Sequence, residues 1–237
     1  MDRKKLDDLT INGFGRSNGG HFEKVTLNGK GTIDGDVTCV YFECNGSGIV
    51  NGDMKSKKAK ISGNVRIDGK MNTSDLIIEG RGTIHEDTFL KNVKIAGKGS
   101  FGGHLSGEEV MLQGRMTVDG DCEVETFKAE GQFTIDGLLS ADCITVDAHG
   151  ESRAKEIGGQ TINVKNKRLK KLFKTMLLGK LETDLIEGDF IDVEYTNATV
   201  VRGNEVKLGP YCEVDLVEYS GSFAHHETAK VKESRKV

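Results

Sequence analysis

A strict 17-residue repeat is the feature that most constrains what this chain can fold into. It is marked by a glycine that recurs at this interval: Gly29, Gly46, Gly63, Gly80, Gly97, Gly114 and Gly131. A second glycine follows six positions later at Gly35, Gly52, Gly69, Gly103, Gly120 and Gly137, and Glu86 takes its place once. A fixed period without insertions is typical of a solenoid, in which each repeat forms one coil and contacts only its neighbours.

Apolar residues form four columns between these glycines. In the repeat around Gly63 the columns contain Ala59, Ile61, Ile67 and Met71, and one of the columns is interrupted elsewhere by a threonine, Thr88. Alternation of apolar and polar residues indicates strands with one buried face. Each repeat is therefore predicted to form three short strands of about five or six residues, joined at two glycine corners and one polar corner.

The glycine corners often contain aspartate before glycine, as in Asp34-Gly35 and Asp68-Gly69. Aspartate and glycine both tolerate the left-handed backbone conformation, so we expect that conformation at these corners. Recurring aspartates, which include Asp119 and Asp136, also allow a calcium-binding interpretation. Calcium-binding repeats have a denser, nine-residue unit, and ordinary turn chemistry is therefore favoured.

Stacking explains how such coils bury their apolar columns. Coils about 4.8 Å apart pair in parallel and share one continuous core. About eight coils are predicted from Val25 to Val164, with a one-residue slip in the repeat at Ile162 and Val164. The predicted fold class is all-β, a parallel β-helix with 17-residue coils, plus one short amphipathic α-helix near residues 166–179.

The predicted helix is basic on one side and apolar on the other. The apolar side chains lie at helical spacing, at Leu169, Leu172, Phe173, Met176 and Leu177, and basic residues cover much of the rest, at Arg168, Lys170, Lys171 and Lys174. This face is a candidate for contact with an anionic membrane surface. It is equally a candidate for packing on the solenoid, and the strand pattern that resumes after the helix favours packing.

Five segments are predicted from these patterns. Residues 1–21 form an N-terminal arm or cap, residues 22–165 the β-helix and residues 166–180 the basic helix. Residues 181–223 form further coils or a C-terminal cap. Residues 224–237 are polar and are predicted to be a disordered tail.

Composition excludes several classes of protein. With 33 basic and 37 acidic residues among 237, the chain has no charge excess that would indicate general nucleic-acid binding. We expect no secretory signal and no membrane span, because no apolar run reaches about 18 residues. The five cysteines are odd in number, which indicates reduced thiols in a cytoplasmic protein. Cys39, Cys44 and Cys122 occupy inward positions, where packing is their expected role.

No catalytic, metal-binding or cofactor-binding residue is predicted. The six histidines fall in no ligand or triad spacing: His21, His85, His104, His149, His225 and His226. Left-handed β-helix acyltransferases repeat a hexapeptide with an 18-residue coil, and polysaccharide-degrading β-helices have longer, irregular coils. The strict 17-residue period argues against both enzymes. A monomeric β-solenoid that binds a partner is a further alternative.

The repeat written as Leu27-Asn28-Gly29-Lys30-Gly31-Thr32-Ile33-Asp34-Gly35-Asp36-Val37 resembles that of the bactofilins, which are bacterial polymer-forming cytoskeletal proteins. The resemblance covers roughly residues 22–165. It implies a right-handed parallel β-helix that polymerises end to end without nucleotide, with itself or with a paralogous bactofilin. It also implies a cytoplasmic scaffold at the inner face of the cell envelope, acting in cell shape, wall synthesis, division or motility, without nucleic acid or a small-molecule substrate. Bactofilin cores are usually flanked by flexible polar tails, whereas here the basic helix and a second block of strands follow.

Overall fold

A computed structural model describes residues 6–147, 150–166 and 179–237. Every regular element in these residues is a β-strand, and each strand pairs in parallel with its equivalent in a neighbouring coil. This confirms the predicted all-β solenoid. Residues 167–178, which hold nearly all of the helix predicted near residues 166–179, lie outside the described part of the chain.

The described strands number twenty. In chain order they are β1 (Leu9–Ile11), β2 (Phe14–Leu27), β3 (Lys30–Cys44), β4 (Ser47–Asn51), β5 (Met54–Ile61), β6 (Asn64–Ile67), β7 (Met71–Ile78), β8 (Arg81–Ile84), β9 (Thr88–Ile95), β10 (Lys98–Phe101), β11 (Leu105–Ser106), β12 (Glu109–Leu112), β13 (Arg115–Val118), β14 (Cys122–Ala129), β15 (Gln132–Asp147), β16 (Glu151–Lys165), β17 (Lys180–Val193), β18 (Thr196–Leu208), β19 (Glu213–His225) and β20 (Lys230–Lys236). They belong to two compact units. The first unit runs to Glu108 and includes Arg115–Asp119, and the second contains Glu109–Gly114 and the chain from Gly120 onward.

In the first unit, the repeats contribute one short strand, such as β4 or β6, and one longer strand, such as β5 or β7. Strand β6 pairs with β4 and β8, and β7 pairs with β5 and β9, so that each residue lies beside its equivalent in the next repeat. The longer strand bends in its middle, where two consecutive side chains, such as Lys57 and Lys58, both point outward. Each repeat thus has the three flat faces that were predicted as three strands. Two of these faces, however, are formed by the two halves of one bent strand.

The predicted columns form the core of this unit. Ala59, Ile61, Ile67 and Met71 are all fully buried, and the outward residues between them are exposed or half-buried. Because each inward position recurs once per coil, each apolar side chain stacks on its equivalent one coil away. The hydropathy pattern alone was therefore sufficient to identify the core.

The glycines serve a different purpose from the one expected. Among the described repeat glycines, Gly35 alone has a left-handed backbone, with φ of 92°. The first glycine series is required by close approach instead: a Cβ on Gly63 would lie 1.9 Å from the carbonyl oxygen of Gly46, and a Cβ on Gly80 would lie 2.0 Å from that of Gly63. Successive coils thus touch backbone to backbone at this corner, and the expectation of left-handed corners is wrong for most of them.

We predict that Gly63→Ala lowers the free energy of unfolding by about 1–3 kcal/mol, the usual cost of forcing atoms into a packed site. Urea denaturation measures this value. Gly158→Ala is the matched control, because its Cβ would meet nothing closer than Leu138 at 3.8 Å. Equal stability of the two variants would contradict the close-approach explanation.

Thr88 is the polar exception in its apolar column, and the structure shows why its hydroxyl lowers the stability of the fold. It stacks between Met71 and Leu105, is fully buried, and its Oγ1 has no hydrogen-bond partner among the described residues. Thr73 differs, because its Oγ1 accepts a hydrogen bond from the Ser56 hydroxyl at 2.9 Å. A buried hydroxyl without a partner destabilises a fold.

Thr88→Val is therefore predicted to raise the free energy of unfolding by about 1–3 kcal/mol, since valine has nearly the same shape. Thr73→Val, the control, should be destabilising because it leaves the Ser56 hydroxyl without its acceptor. Thermal or urea unfolding of both variants distinguishes the cases. Destabilisation by Thr88→Val would mean that the hydroxyl has a favourable contact.

In the second unit the coil length is no longer constant. Strands β14 and β15 keep the 17-residue offset, and the slip predicted at Ile162 and Val164 is confirmed, because they pair with Ile144 and Val146 at an offset of 18. Strand β17 follows β16 at an offset of 29, and β18 follows β17 at 15. The large offset accommodates the segment that joins β16 to β17.

Both ends of the chain differ from the predicted segments. Residues 1–21 were expected to form an arm or cap, but Leu9–Ile11 is strand β1 and most of β2 also lies there, already paired as a coil. Residues 224–237 were expected to be disordered, but Lys230–Lys236 forms β20 and pairs with β19. A hydropathy pattern does not detect this strand, because its side chains are polar. Ion pairs between the two strands, such as Lys230–Glu213 at 2.9 Å, accompany the backbone pairing.

Candidate functional site

The described residues contain no cluster of histidine, cysteine, aspartate or glutamate that could hold a metal ion. Within the same residues, no helix is long and apolar enough to cross a membrane. Three buried cysteines are inert: burial raises the pKa of Cys39 and Cys212 to about 11 and that of Cys122 to about 12. These thiols stay protonated at neutral pH, so they fill space in the core.

The residues of the predicted basic helix lie outside the described part of the chain. They are Arg168, Leu169, Lys170, Lys171, Leu172, Phe173, Lys174, Met176 and Leu177. Membrane contact and packing on the solenoid therefore both stay predictions. The repeat glycines, in contrast, are placed at coil corners, where they determine the fold.

The last coils of the second unit end in an open strand edge. The first half of β19, Glu213–Tyr219, pairs with β18 on one side and with β20 on the other. Its second half, Ser222–His225, pairs with β18, and no described strand pairs with its other side. The backbone groups on that side are free to pair with a further strand.

Aromatic side chains lie beside this edge. Phe223 pairs with Val206 and His225 with Leu208, so both stand in inward columns of the core. The Phe223 ring lies 5.5 Å from the ring of Tyr219 and 5.6 Å from that of His225. Phe223 and Tyr219 are half-buried and His225 is exposed. Phe223 and His225 thus take the places that Val206 and Leu208 have in the preceding coil, and the aromatic row that they form with Tyr219 is incompletely covered.

The first unit also begins with open edges. Strand β1 pairs with β2, and Phe14–Asn18 at the start of β2 pairs with β3; in each case the described residues supply a neighbour on one side. Ile11 packs against Gly15 and Gly31 and is buried. Phe14, by contrast, is 90% exposed. Phe14 is thus an exposed apolar side chain beside an open strand edge.

An ion-pair network links the outer surfaces of the last four coils. Glu218 accepts hydrogen bonds from Arg202 Nε at 2.7 Å and Arg235 Nε at 2.9 Å, and Arg202 also pairs with Glu187 at 3.1 Å. The Glu218 side chain is only 7% exposed. Hydrogen bonds from Arg235 and Arg202 lower the pKa of this carboxyl from its ordinary value of 4.5. Glu218 therefore stays ionised and holds the terminal coil against its neighbours.

One structural contact was missed by the sequence analysis. Asp36, Asp53, Asp87 and Asp121 each follow the second glycine position, and their side chains accept the backbone N–H of the residue 17 positions later, at 2.8–3.2 Å. Each aspartate thus ties one corner to the next coil. Their fixed position in the repeat, directly after the second glycine, is the signal in the sequence that identifies them.

Glu218→Gln tests the importance of the terminal network. Because the pKa of Glu218 is lowered on folding, its ionised form stabilises the fold above the unfolded pKa, and the contribution is lost as pH falls through the folded value. The variant should be less stable than wild type at pH 7, and the difference should shrink below about pH 4.5. Urea unfolding across this range measures it.

Glu187→Gln serves as the control, because Glu187 is more exposed and, among the described residues, has Arg202 as its one ion-pair partner. It should change stability less at every pH. A stability difference for Glu218→Gln that is the same at pH 7 and pH 3 would show that the charge of Glu218 has no such role.

Comparison with known proteins identifies close relatives. No protein-family model and no solved structure matches the chain. The chain is 57% identical over 234 residues to the uncharacterized protein YhbE of Bacillus subtilis, covering 98% of this chain and 99% of that protein. It is 40% identical over 90 residues to the uncharacterized protein YhbF of the same organism, covering 38% of this chain and 37% of YhbF.

Proposed function

The chain belongs to the family of Bacillus subtilis YhbE, and we propose that it is a non-catalytic structural protein that assembles through its solenoid ends into filaments without nucleotide. The main support for this proposal is the open strand edge at Ser222–His225 and the incompletely covered aromatic row beside it. A strand edge with free N–H and C=O groups is a template for another strand.

Association through this end would cover the unpaired strand edge and the incompletely buried aromatic rings together. A strand from another copy supplies partners for the backbone groups of Ser222–His225, and its inward side chains cover Phe223 and Tyr219. Buried apolar area stabilises the contact by about 25 cal/mol per Å². The start of the first unit, with the open edges of β1 and β2 and the exposed Phe14, offers a second surface of this kind.

The resemblance of the repeat to bactofilins supports the same function. It extends the proposal to a cytoplasmic scaffold at the inner face of the cell envelope that serves cell shape, wall synthesis, division or motility. Copolymerisation with a paralogue belongs to the same proposal. A β-helical enzyme acting on a polysaccharide or an acyl group and a monomeric binding module are the competing functions.

Phe223→Arg is predicted to abolish assembly. The charged side chain would stand at the solenoid end in an inward column, where a docking copy would have to bury it without a partner. Wild-type protein should sediment as long species and appear as filaments by electron microscopy, whereas the variant should sediment as a monomer or a short oligomer. Circular dichroism checks that the variant is folded.

Phe190→Arg is the matched control. Phe190 is 48% exposed on the outer surface of β17, away from the terminal row, so its replacement should leave filaments unchanged. A wild-type protein that stays monomeric over a wide range of concentration and salt would refute assembly and favour the binding module. Filaments that survive Phe223→Arg but are lost in Phe190→Arg would place the contact on the side of the solenoid.

A further inference from the structure

A groove of about 720 Å³ runs along the side of the second unit. Its lining includes residues of β15 to β19, five parallel rungs that together span roughly 20 Å. The bottom is a column of glycines, Gly159, Gly188 and Gly203, which pair with one another from coil to coil. We call this surface the glycine groove. Its volume falls in the range of sites that hold a bound ligand.

One further glycine of the groove is not required by the fold. A Cβ on Gly158 would meet nothing closer than Leu138 at 3.8 Å, and the backbone of Gly158 is not left-handed. Gly159 differs, because its Cβ would lie 2.3 Å from the carbonyl oxygen of Ala141. Glycine inside a strand lowers stability, and it often marks a place where a ligand approaches the backbone. Gly158 thus keeps a space open that a side chain could fill.

Polar side chains surround the open space at Gly158. Ser140 and Glu187 occupy the same outward column, one coil before and one coil after it. Glu156 and Gln160 stand two residues before and after it in β16, and all four side chains line the groove. Neither Glu156 nor Gln160 has a hydrogen-bond or ion-pair partner for its side chain within the described residues. Hydroxyl, amide and carboxylate groups are therefore available to a ligand from four directions.

The same mixture of polar groups continues along the groove. Asp189 and Asn204 follow the next two bottom glycines, as Gln160 follows Gly159. The Asn204 Oδ1 accepts a hydrogen bond from the Ser220 hydroxyl at 3.1 Å, so the amide N–H groups of Asn204 point to other acceptors. Donors and acceptors thus recur on successive rungs, which indicates an elongated ligand.

The groove also has an apolar part. Leu138 and Leu185 are half-buried, line the groove and flank Glu156 in its column, one on the preceding coil and one on the next. A ligand that fits this lining needs apolar surface as well as groups that both donate and accept hydrogen bonds. Sugar rings combine these properties, because they present C–H groups on their faces and hydroxyl groups around their edges.

We propose that the glycine groove binds an extended, neutral polysaccharide, with one sugar ring seated over Gly158. The hydroxyl groups of that ring bind Glu156, Gln160 and Glu187, and the following rings lie along the groove beside Asp189. A chain of rings matches a lining that repeats from rung to rung. One copy of the protein holds the whole groove, so this inference does not rest on the proposed assembly.

An acidic polysaccharide fits the groove less well than a neutral one. The lining formed by the described residues contains the carboxylates of Glu156, Glu187 and Asp189, and Arg202 is its one cation. Carboxylates on the ligand would therefore meet an excess of like charge.

A polyamine also fits less well. Arg202 already binds Glu187 at 3.1 Å, which neutralises one of the carboxylates. An ammonium group donates hydrogen bonds and accepts none, so it would leave the amide N–H groups of Gln160 and Asn204 without an acceptor.

The experiment measures binding of cellohexaose and of chitohexaose, two extended neutral oligosaccharides, to the full chain by isothermal titration calorimetry. Wild type should bind at least one of them saturably. Gly158→Met should bind it about tenfold or more weakly, because the new side chain occupies the space of the sugar ring, and should unfold at no lower a temperature than wild type. Gln160→Met keeps the length of the side chain but removes its amide, and should weaken binding about threefold to tenfold.

Thr161→Met is the matched control, because it adds the same side chain at an exposed position of the same strand outside the groove lining. It should bind within about twofold of wild type. If Gly158→Met does not fold, the comparison of Gln160→Met with Thr161→Met decides. Equal losses in these two variants would overturn the proposal, as would a wild type that binds neither oligosaccharide or that binds polygalacturonate or spermidine more tightly than both.

Discussion

Backbone contact between successive coils at the first glycine corner is the constraint on which the rest of the first unit depends. The Cβ position of Gly63 lies 1.9 Å from the carbonyl oxygen of Gly46, and the same contact recurs one coil later at Gly80. No side chain fits there, so each of these coils needs a glycine at this position. Once that spacing is fixed, every other position in the repeat is fixed to one face and one column, and parallel backbone pairing follows.

A solenoid built in this way leaves two kinds of surface for function. Its sides are rows of outward side chains in which equivalent residues meet at a spacing of about 4.8 Å, so a preference for one kind of side chain is repeated along the row. Its ends are strand edges with free hydrogen-bonding groups and inward residues that lack a covering coil. The open edge at Ser222–His225 is a surface of the second kind.

The second unit shows how coils continue once the strict period is lost. The offset between its later strands changes from one pair to the next, yet pairing stays parallel and the inward columns stay mainly apolar as far as Val217, with Ser152 and Thr196 as buried polar exceptions. Polar contacts then take over part of the stabilisation. Glu218 links three coils through Arg202 and Arg235, and Lys230 binds Glu213 across the final pair of strands. The terminal coil is thus held by charges where apolar columns end.

The sequence by itself determined the parallel solenoid, the 17-residue coil and the buried columns, because period and hydropathy are properties of single positions. It also indicated the one-residue slip at Ile162. The tertiary structure decided what depends on which residues meet across coils: that glycines are needed for close approach, that Asp53 caps the next corner, and that the polar residues 230–236 form a strand. The open edge belongs to the second group. It arises from alignment of residues far apart in the chain, and that alignment exists only once the coils have stacked.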